Sequence, residues 1–230
     1  MDLIRRPFKY RDSGIVYWLI GINVVIFAVT WLFSRNVRTI LEWGAAGEKL
    51  LQFWFTLVNR MPMVPNRVLH SGWVWSFITY MFMHGGFTHI LFNMLGLFIF
   101  GVQVERQMGS REFLLYYLLT GALAGVFSCV VYYFSGSGWI PLIGASGALF
   151  AVELAYAVFF PDAIIYLWGI LPLRAPVMVL GFTALEIIFS VTGRNDSVAH
   201  FTHLAGFATG WLYFRVRFGI SPWRRLTRRY

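Results

Sequence analysis

The chain has 230 residues, of which 58% are hydrophobic and only 13% are charged. Because soluble domains carry about 25% charged residues, this composition argues against a soluble protein and predicts an integral membrane protein. The net charge of +9 would also suit a nucleic-acid-binding protein, but basic residues flanking membrane spans explain it better, and we expect no nucleic-acid partner.

Six apolar stretches, most of them near the roughly 20 residues that cross a bilayer as a helix, divide the sequence. The first follows a basic cluster and is too long for the apolar core of a secretory signal, so we interpret it as a retained span. Because an open sheet leaves backbone groups unpaired in lipid, the expected fold is all-α, a six-transmembrane-helix bundle that forms one domain over residues 1–230. The six predicted spans are residues 15–33, 77–101, 113–134, 145–160, 175–192 and 198–218.

Three segments outside these spans also carry predictions. Residues 34–76 are too many for a simple connection, and their short apolar stretch with nearby tryptophans predicts a loop in the outer membrane interface. The apolar run 163–171 ends at Pro172 and is interpreted as a loop dipping into the interface. Residues 215–230 form a basic tail, expected on the cytoplasmic side and in contact with membrane lipids.

The distribution of basic residues predicts the orientation of the chain. An even number of spans places both termini on one side, and that side carries most of the 19 lysines and arginines. Since basic residues accumulate on the cytoplasmic side of membranes, we expect cytoplasmic termini. Short termini favour the inner membrane of a bacterial cell.

Polar motifs lie inside the apolar stretches, where hydrocarbon makes polar groups costly. Ser146 follows Gly144 and begins the fourth predicted span, so its N–H has no partner within the helix. His203 lies at a similar depth near the outer end of the sixth span, and Gly206 and Gly210 let that helix approach its neighbours closely. Many hydrolases use a serine nucleophile activated by a histidine base. Because this serine and histidine lie within predicted membrane spans, the pair indicates hydrolysis within the bilayer.

Other polar side chains predict the groups that support this pair. His89 and Asn93 are four residues apart, so they share one face of the second span and can donate hydrogen bonds to an oxyanion. No aspartate is placed to orient His203, which predicts a Ser–His dyad and not a triad. We interpret Glu153 and Glu186, within the fourth and fifth spans, as structural hydrogen-bonding groups.

The motifs, in this order and spacing, resemble those of the rhomboid family of intramembrane serine proteases over about residues 75–218. The resemblance implies that Ser146 is the nucleophile and His203 the base, with His89, Asn93 and the Ser146 N–H as oxyanion donors. It also implies cleavage of transmembrane substrate proteins near the outer face of the membrane. Phe150 matches a position where the family often has a tyrosine stacked on the catalytic histidine.

Several alternatives remain open. His200, three residues before His203, is the rival base, although the glycine spacing favours His203. The alternative function is a catalytically inactive rhomboid-like protein that binds or retains membrane proteins. A metal or ion carrier is disfavoured because no carboxylate cluster joins the histidines, so we expect no metal and no cofactor. The candidates for shaping the site are Phe150, Gly144 and His84.

Overall fold

The computed structural model describes residues 10–167, 169–192 and 200–227, and this part of the chain is predominantly helical. Predictions that fall on residues 1–9, 193–199 and 228–230, including the first basic cluster and the start of the sixth span, lie outside the described residues. Short 3₁₀ or π-helical turns occupy Tyr80–Phe82, Leu97–Gly101 and Phe214–Phe218. The other elements are α1 (Ile15–Arg35), α2 (Val37–Leu41), α3 (Ala45–Asn59), α4 (Pro65–Ser71), α5 (Ser76–Thr79), α6 (Phe87–Gly96), α7 (Val102–Met108), α8 (Ser110–Phe134), α9 (Ser146–Phe159), β1 (Ile164–Leu167), β2 (Leu171–Arg174), α10 (Ala175–Thr192), α11 (His200–Tyr213) and α12 (Pro222–Leu226).

Four helical stretches among the described residues are long and apolar enough to cross a membrane: α1, the run from α6 through α7, α8 and α10. Helix α9 has 14 residues, and α11 has 14 before it continues into the π-helical turn Phe214–Phe218. At about 1.5 Å per residue such a helix covers roughly 21 Å, less than the roughly 30 Å of a hydrocarbon core. The chain is therefore a helical membrane protein, whereas the count of six spans remains a prediction.

Helix α9 lies at the centre of the bundle, and most of its residues are buried against α8, α10 and α11. Its surface is rich in alanine and glycine, which lets neighbouring helices pack closely where lipid offers little hydrophobic driving force. A Cβ placed on Gly206 of α11 would lie only 1.9 Å from the Gly147 carbonyl oxygen of α9. The predicted close contact between the fourth and sixth spans is thereby confirmed.

The helix of the second predicted span begins at Phe87 and not at residue 77. Residues 76–82 form α5 and a 3₁₀ turn instead, and the helical structure is then interrupted before α6 begins. Gly85 and Gly86 account for this break, because glycine weakens helices and Gly86 adopts an extended backbone. The Gly144 N–H donates to the Tyr80 carbonyl at 2.9 Å, so this segment also anchors the loop before α9.

The expectation of an all-α fold is wrong between α9 and α10. There β1 and β2 pair as an antiparallel hairpin, with Ile164 opposite Arg174 and Leu167 opposite Leu171. The β-branched residues of this stretch favour a strand, and Gly169 supplies the positive φ of +73° in the turn. The run 163–171, interpreted from sequence as an interfacial loop, thus contains β1 and the turn of this hairpin.

Helix α1 lies on the outside of the bundle and is fastened at its first turn. The Glu105 carboxylate of α7 accepts hydrogen bonds from the backbone N–H groups of Ile15, at 2.7 Å, and Val16, at 2.9 Å. The first N–H groups of a helix have no acceptor within the helix. Glu105 therefore caps α1 from a distant part of the sequence.

The two segments predicted outside the spans differ from simple coils. Residues 34–76 contain α2, α3 and α4, and their place in the outer interface remains a prediction. Arg217, counted with the predicted basic tail, has its Nε 2.7 Å from Glu112 Oε1 on α8, whereas the cytoplasmic side of the tail remains a prediction. The Glu112 side chain is fully buried and also accepts from the Tyr213 hydroxyl at 2.5 Å. Arg217 pairs with this internal carboxylate because α11 packs against α8, a neighbour relation that the local charge pattern does not encode.

Candidate active site

Ser146 is the first residue of α9, and a loop that requires glycine places it there. Gly144 has a φ of +115°, which side chains rarely adopt, and a Cβ on it would lie 2.7 Å from His89 Nε2. The Leu149 N–H donates to the Ala145 carbonyl at 3.0 Å, so the three N–H groups before it lie in the unpaired first turn. The Ser146 hydroxyl and N–H therefore lie at the positive end of the helix dipole, where developing negative charge is stabilised.

His203 of α11 contacts Ser146 directly, with 2.7 Å between His203 Nε2 and Ser146 Oγ. The His203 imidazole is buried, whereas Ser146 is half-buried. The ring of Phe150, one turn after Ser146, stacks on the imidazole with centroids 4.5 Å apart and planes 5° from parallel. Phe150 thus restricts the orientation of the ring that faces the serine.

Small residues and one hydroxyl pair hold α11 at this depth. Gly206 lies against the Gly147 carbonyl, and a Cβ on Gly210 would lie 3.1 Å from the Ala151 Cβ. Thr202, next to His203, has its hydroxyl 2.6 Å from the Ser128 hydroxyl of α8. These contacts fix the position of His203 relative to the start of α9.

Glu186 of α10 lies beside the two histidines of α11, which the sequence did not predict. Its Oε1 is 2.9 Å from His203 Nδ1, within ion-pair distance but outside hydrogen-bond angles, and its Oε2 is 2.5 Å from His200 Nδ1. The sequence predicted no carboxylate cluster at the histidines, and the structure places one carboxylate, that of Glu186, against both of them. A glutamate within an apolar stretch needs a polar partner, so the sequence could have suggested a pairing of Glu186 with the histidines of the next apolar stretch.

His89 and Asn93 lie on one face of α6, next to the loop that carries Ser146. Asn93 Nδ2 donates to the His89 carbonyl at 2.8 Å, which uses one of its two hydrogens, and its Oδ1 is buried without a hydrogen-bond partner. His89 Nε2 is the atom against which Gly144 packs. The structure therefore brings His89 to the serine loop and places Asn93 one turn after it on the same helix, and the oxyanion role of both remains a prediction.

His84 lies in the break before α6, with its ring 5.0 Å from the His89 ring in an edge-on arrangement. Both of its ring nitrogens are buried without a hydrogen-bond partner. It also lines a cavity of about 650 Å³ between α1 and the residues around Gly86. His84 thus packs against a candidate oxyanion donor and does not contact Ser146 or His203 in the described hydrogen bonds.

Glu153 lies two turns below Ser146 on α9 and is buried. It is close enough to Glu186 for the two carboxyl groups to interact electrostatically, and its Oε2 has no hydrogen-bond partner. Two acidic side chains, one from α9 and one from α10, therefore lie near each other inside the helical bundle.

Glu186, His200 and His203 offer ligand atoms within 4.8 Å of one another, a spacing that a metal ion could use. Each carboxylate oxygen, however, lies directly against one imidazole nitrogen, which accounts for the grouping without an ion. The expected absence of a metal and of any cofactor remains a prediction.

Known proteins resemble this chain along most of its length. Residues 71–219 match the family model of the Rhomboid domain. The chain is 30% identical to "RHOMBOID-like protein 12, mitochondrial" of Arabidopsis thaliana, over 91% of this chain and 64% of that protein. It is 28% identical to "Putative rhomboid protease YdcA" of Bacillus subtilis, over 86% of this chain and 87% of that protein. It is 29% identical to "Rhomboid protein 1, mitochondrial" of Saccharomyces cerevisiae, over 90% of this chain and 54% of that protein. The chain thus spans between about half and two thirds of the length of several of these relatives.

Proposed function

This chain belongs to the rhomboid family, and from that premise we propose that it is an intramembrane serine protease with Ser146 as nucleophile and His203 as base. The observation that carries the proposal is the 2.7 Å contact between Ser146 Oγ and His203 Nε2 at the start of a central, buried helix. A serine hydroxyl is a weak nucleophile until a base accepts its proton. A neutral Nε2 facing the hydroxyl is the geometry that this step requires.

The proposed reaction proceeds by acyl transfer. Ser146 Oγ attacks the carbonyl carbon of the scissile peptide bond while His203 Nε2 takes the hydroxyl proton. The tetrahedral intermediate collapses when His203 returns that proton to the leaving amine, which leaves the substrate acyl group on Ser146. Water, deprotonated by His203, then attacks the acyl-enzyme, and His203 returns the proton to Ser146 Oγ as the ester bond breaks and the second product leaves.

The oxyanion of the tetrahedral intermediate needs donors that are already in place. We assign this role to the Ser146 N–H, His89 and Asn93. The N–H lies in the unpaired first turn of α9, His89 lies against Gly144, and Asn93 is one turn after His89 on α6. Each such donor is worth roughly 2.7–4 kcal/mol in acyl transfer. Phe150, stacked on His203, would keep the imidazole aligned through both proton transfers.

The membrane arrangement is part of the proposal. We place α9 and α11 as the fourth and sixth spans of a six-helix bundle, with cytoplasmic termini and the site near the outer face. The charge distribution supports the orientation. The proposed substrates are proteins with a transmembrane helix, and the proposed membrane is the bacterial inner membrane. Relatives named for mitochondria and chloroplasts make an organellar membrane the alternative.

The test is cleavage of a panel of single-span substrate proteins by the purified chain in liposomes. Ser146→Ala and His203→Ala should each abolish cleavage, and the double variant should be little worse than either, because the two groups act as one unit. A serine-reactive fluorophosphonate should label the wild type and not Ser146→Ala. Cleavage by purified Ser146→Ala would refute the assignment. A folded wild type that neither cleaves nor reacts would favour an inactive protein that binds membrane clients.

A further inference from the structure

Glu186 of α10 contacts two histidines of α11 at once, one of which is the proposed base. Its two carboxylate oxygens contact different imidazoles. Oε1 lies 2.9 Å from His203 Nδ1, and Oε2 lies 2.5 Å from His200 Nδ1. The His203 ring lies between the serine at Nε2 and this carboxylate at Nδ1. Side chains from α9, α11 and α10 therefore form a continuous row of serine, histidine and glutamate.

A histidine base works only if its proton is on the correct nitrogen. To accept the Ser146 proton at Nε2, neutral His203 must carry its own proton on Nδ1. A carboxylate beside Nδ1 selects that tautomer and stabilises the imidazolium that forms during the reaction. We propose that Glu186 is a positioning residue that completes a Ser146–His203–Glu186 triad, an inference that rests on the proposed protease function.

The surroundings favour this role over simple fastening of α10. The Glu186 side chain is only 13% exposed, and an unpaired carboxylate at membrane depth is costly. His200, by holding Oε2, turns Oε1 toward His203. The angle at His203 Nδ1 is not that of a hydrogen bond in the free enzyme, and catalytic hydrogen bonds commonly tighten only when substrate binds.

The carboxylate also comes from a helix that is loosely held elsewhere. The buried residues of α10 are confined to its first turn or so, from Ala175 to Val179, and Glu186 lies about two turns farther along. Phe182, one turn before Glu186, packs against the core without contacting either histidine in the described ring contacts. Substituting Phe182 can therefore weaken the packing of α10 without removing a contact to His203.

The test compares Glu186→Gln with Phe182→Ala, which loosens the same helix and leaves the carboxylate in place. A glutamine has one carbonyl oxygen for two imidazoles, and its NH₂ group favours the wrong tautomer of the ring it faces. We expect Glu186→Gln to lower kcat at least about tenfold with KM nearly unchanged, since orienting partners of catalytic or ligating histidines are typically worth about 10- to 100-fold or more. Phe182→Ala should lower the melting temperature and leave kcat at or above the wild-type value.

A second measurement reads the tautomer itself. The ¹⁵N chemical shifts of His203 should report protonation at Nδ1 in the wild type and in Ser146→Ala, and a loss of this preference in Glu186→Gln. Wild-type kcat and an unchanged tautomer in Glu186→Gln would overturn the triad while leaving the Ser–His protease intact. Equal losses of kcat in Glu186→Gln and Phe182→Ala would overturn the triad, because they would show that Glu186 only holds α10 against α11. Cleavage that persists in Ser146→Ala would instead remove the proposed function and the triad with it.

Discussion

The contact between Gly206 and Gly147 sets the distance between the proposed nucleophile and base, and Gly206→Ala tests that dependence. The new Cβ would lie 1.9 Å from the Gly147 carbonyl oxygen and 2.8 Å from its carbonyl carbon. Unstrained carbon–oxygen contacts are about 3.3–3.6 Å, so α11 must move roughly 1.4 Å or more away from α9. Both contact atoms belong to backbone, and neither can rotate aside.

That displacement falls directly on the site. Gly206 is one turn after His203, and Gly147 immediately follows Ser146, so the 2.7 Å separation of Oγ and Nε2 would grow to roughly 4 Å, beyond hydrogen-bond reach. Misplacement of about 1 Å costs on the order of 100-fold in rate, which corresponds to about 2.7 kcal/mol of barrier. We therefore expect kcat to fall by about two orders of magnitude in the folded variant.

The assay is cleavage of a single-span substrate in liposomes, paired with thermal unfolding of the same preparation. Gly181→Ala on α10 is the matched control, because a Cβ there meets nothing within 4 Å. In an open helical position alanine stabilises by up to about 1 kcal/mol relative to glycine, so this control should keep full activity. A folded Gly206→Ala variant with wild-type kcat would refute the argument that close packing of α9 and α11 builds the site.

Substitutions at three further positions test individual contacts. Asn93→Ala should lower kcat by about 10²- to 10³-fold with little change in KM, because an oxyanion donor acts in the transition state. An unchanged kcat would exclude Asn93 as an oxyanion donor. Phe150→Ala should lower kcat up to about tenfold through lost stacking on His203, whereas Phe150→Tyr should stay close to wild type; equal kcat in both variants would argue against the stacking role. Arg217→Ala should lower the unfolding free energy by about 3–5 kcal/mol, because the buried Glu112 carboxylate loses its charged partner. Denaturant unfolding measures this change, and a loss below about 1 kcal/mol would contradict the pairing.

The sequence predicted the parts of the site that lie close together in the chain. Ser146 with its glycines, and His89 with Asn93, are local patterns whose geometry follows from one helix or one turn. The contact between Ser146 and His203 was also predictable, because Gly206 and Gly210 mark a face where α11 must approach another backbone.

The parts that the sequence missed depend on neighbours that no local pattern specifies. The partners of Glu186, His200 and His203, were not predicted because they lie on a different helix, and only the packing of α10 against α11 brings them together. Arg217 was counted with the tail for the same reason, since Glu112 lies on α8. The hairpin was missed because residues 163–171 are apolar without a period that separates strand from membrane loop.

The cap on α1 has a consequence for the order in which the chain assembles during synthesis. Ile15 leaves the ribosome 90 residues before Glu105, whose carboxylate is the acceptor for the first N–H groups of α1. Until α7 has been made, the first turn of α1 keeps its N–H groups unsatisfied or hydrated. Helix α1 is therefore fixed late, only after the second of the four long helical stretches has been made, and a nascent chain arrested before Glu105 should hold α1 in the membrane without a defined depth.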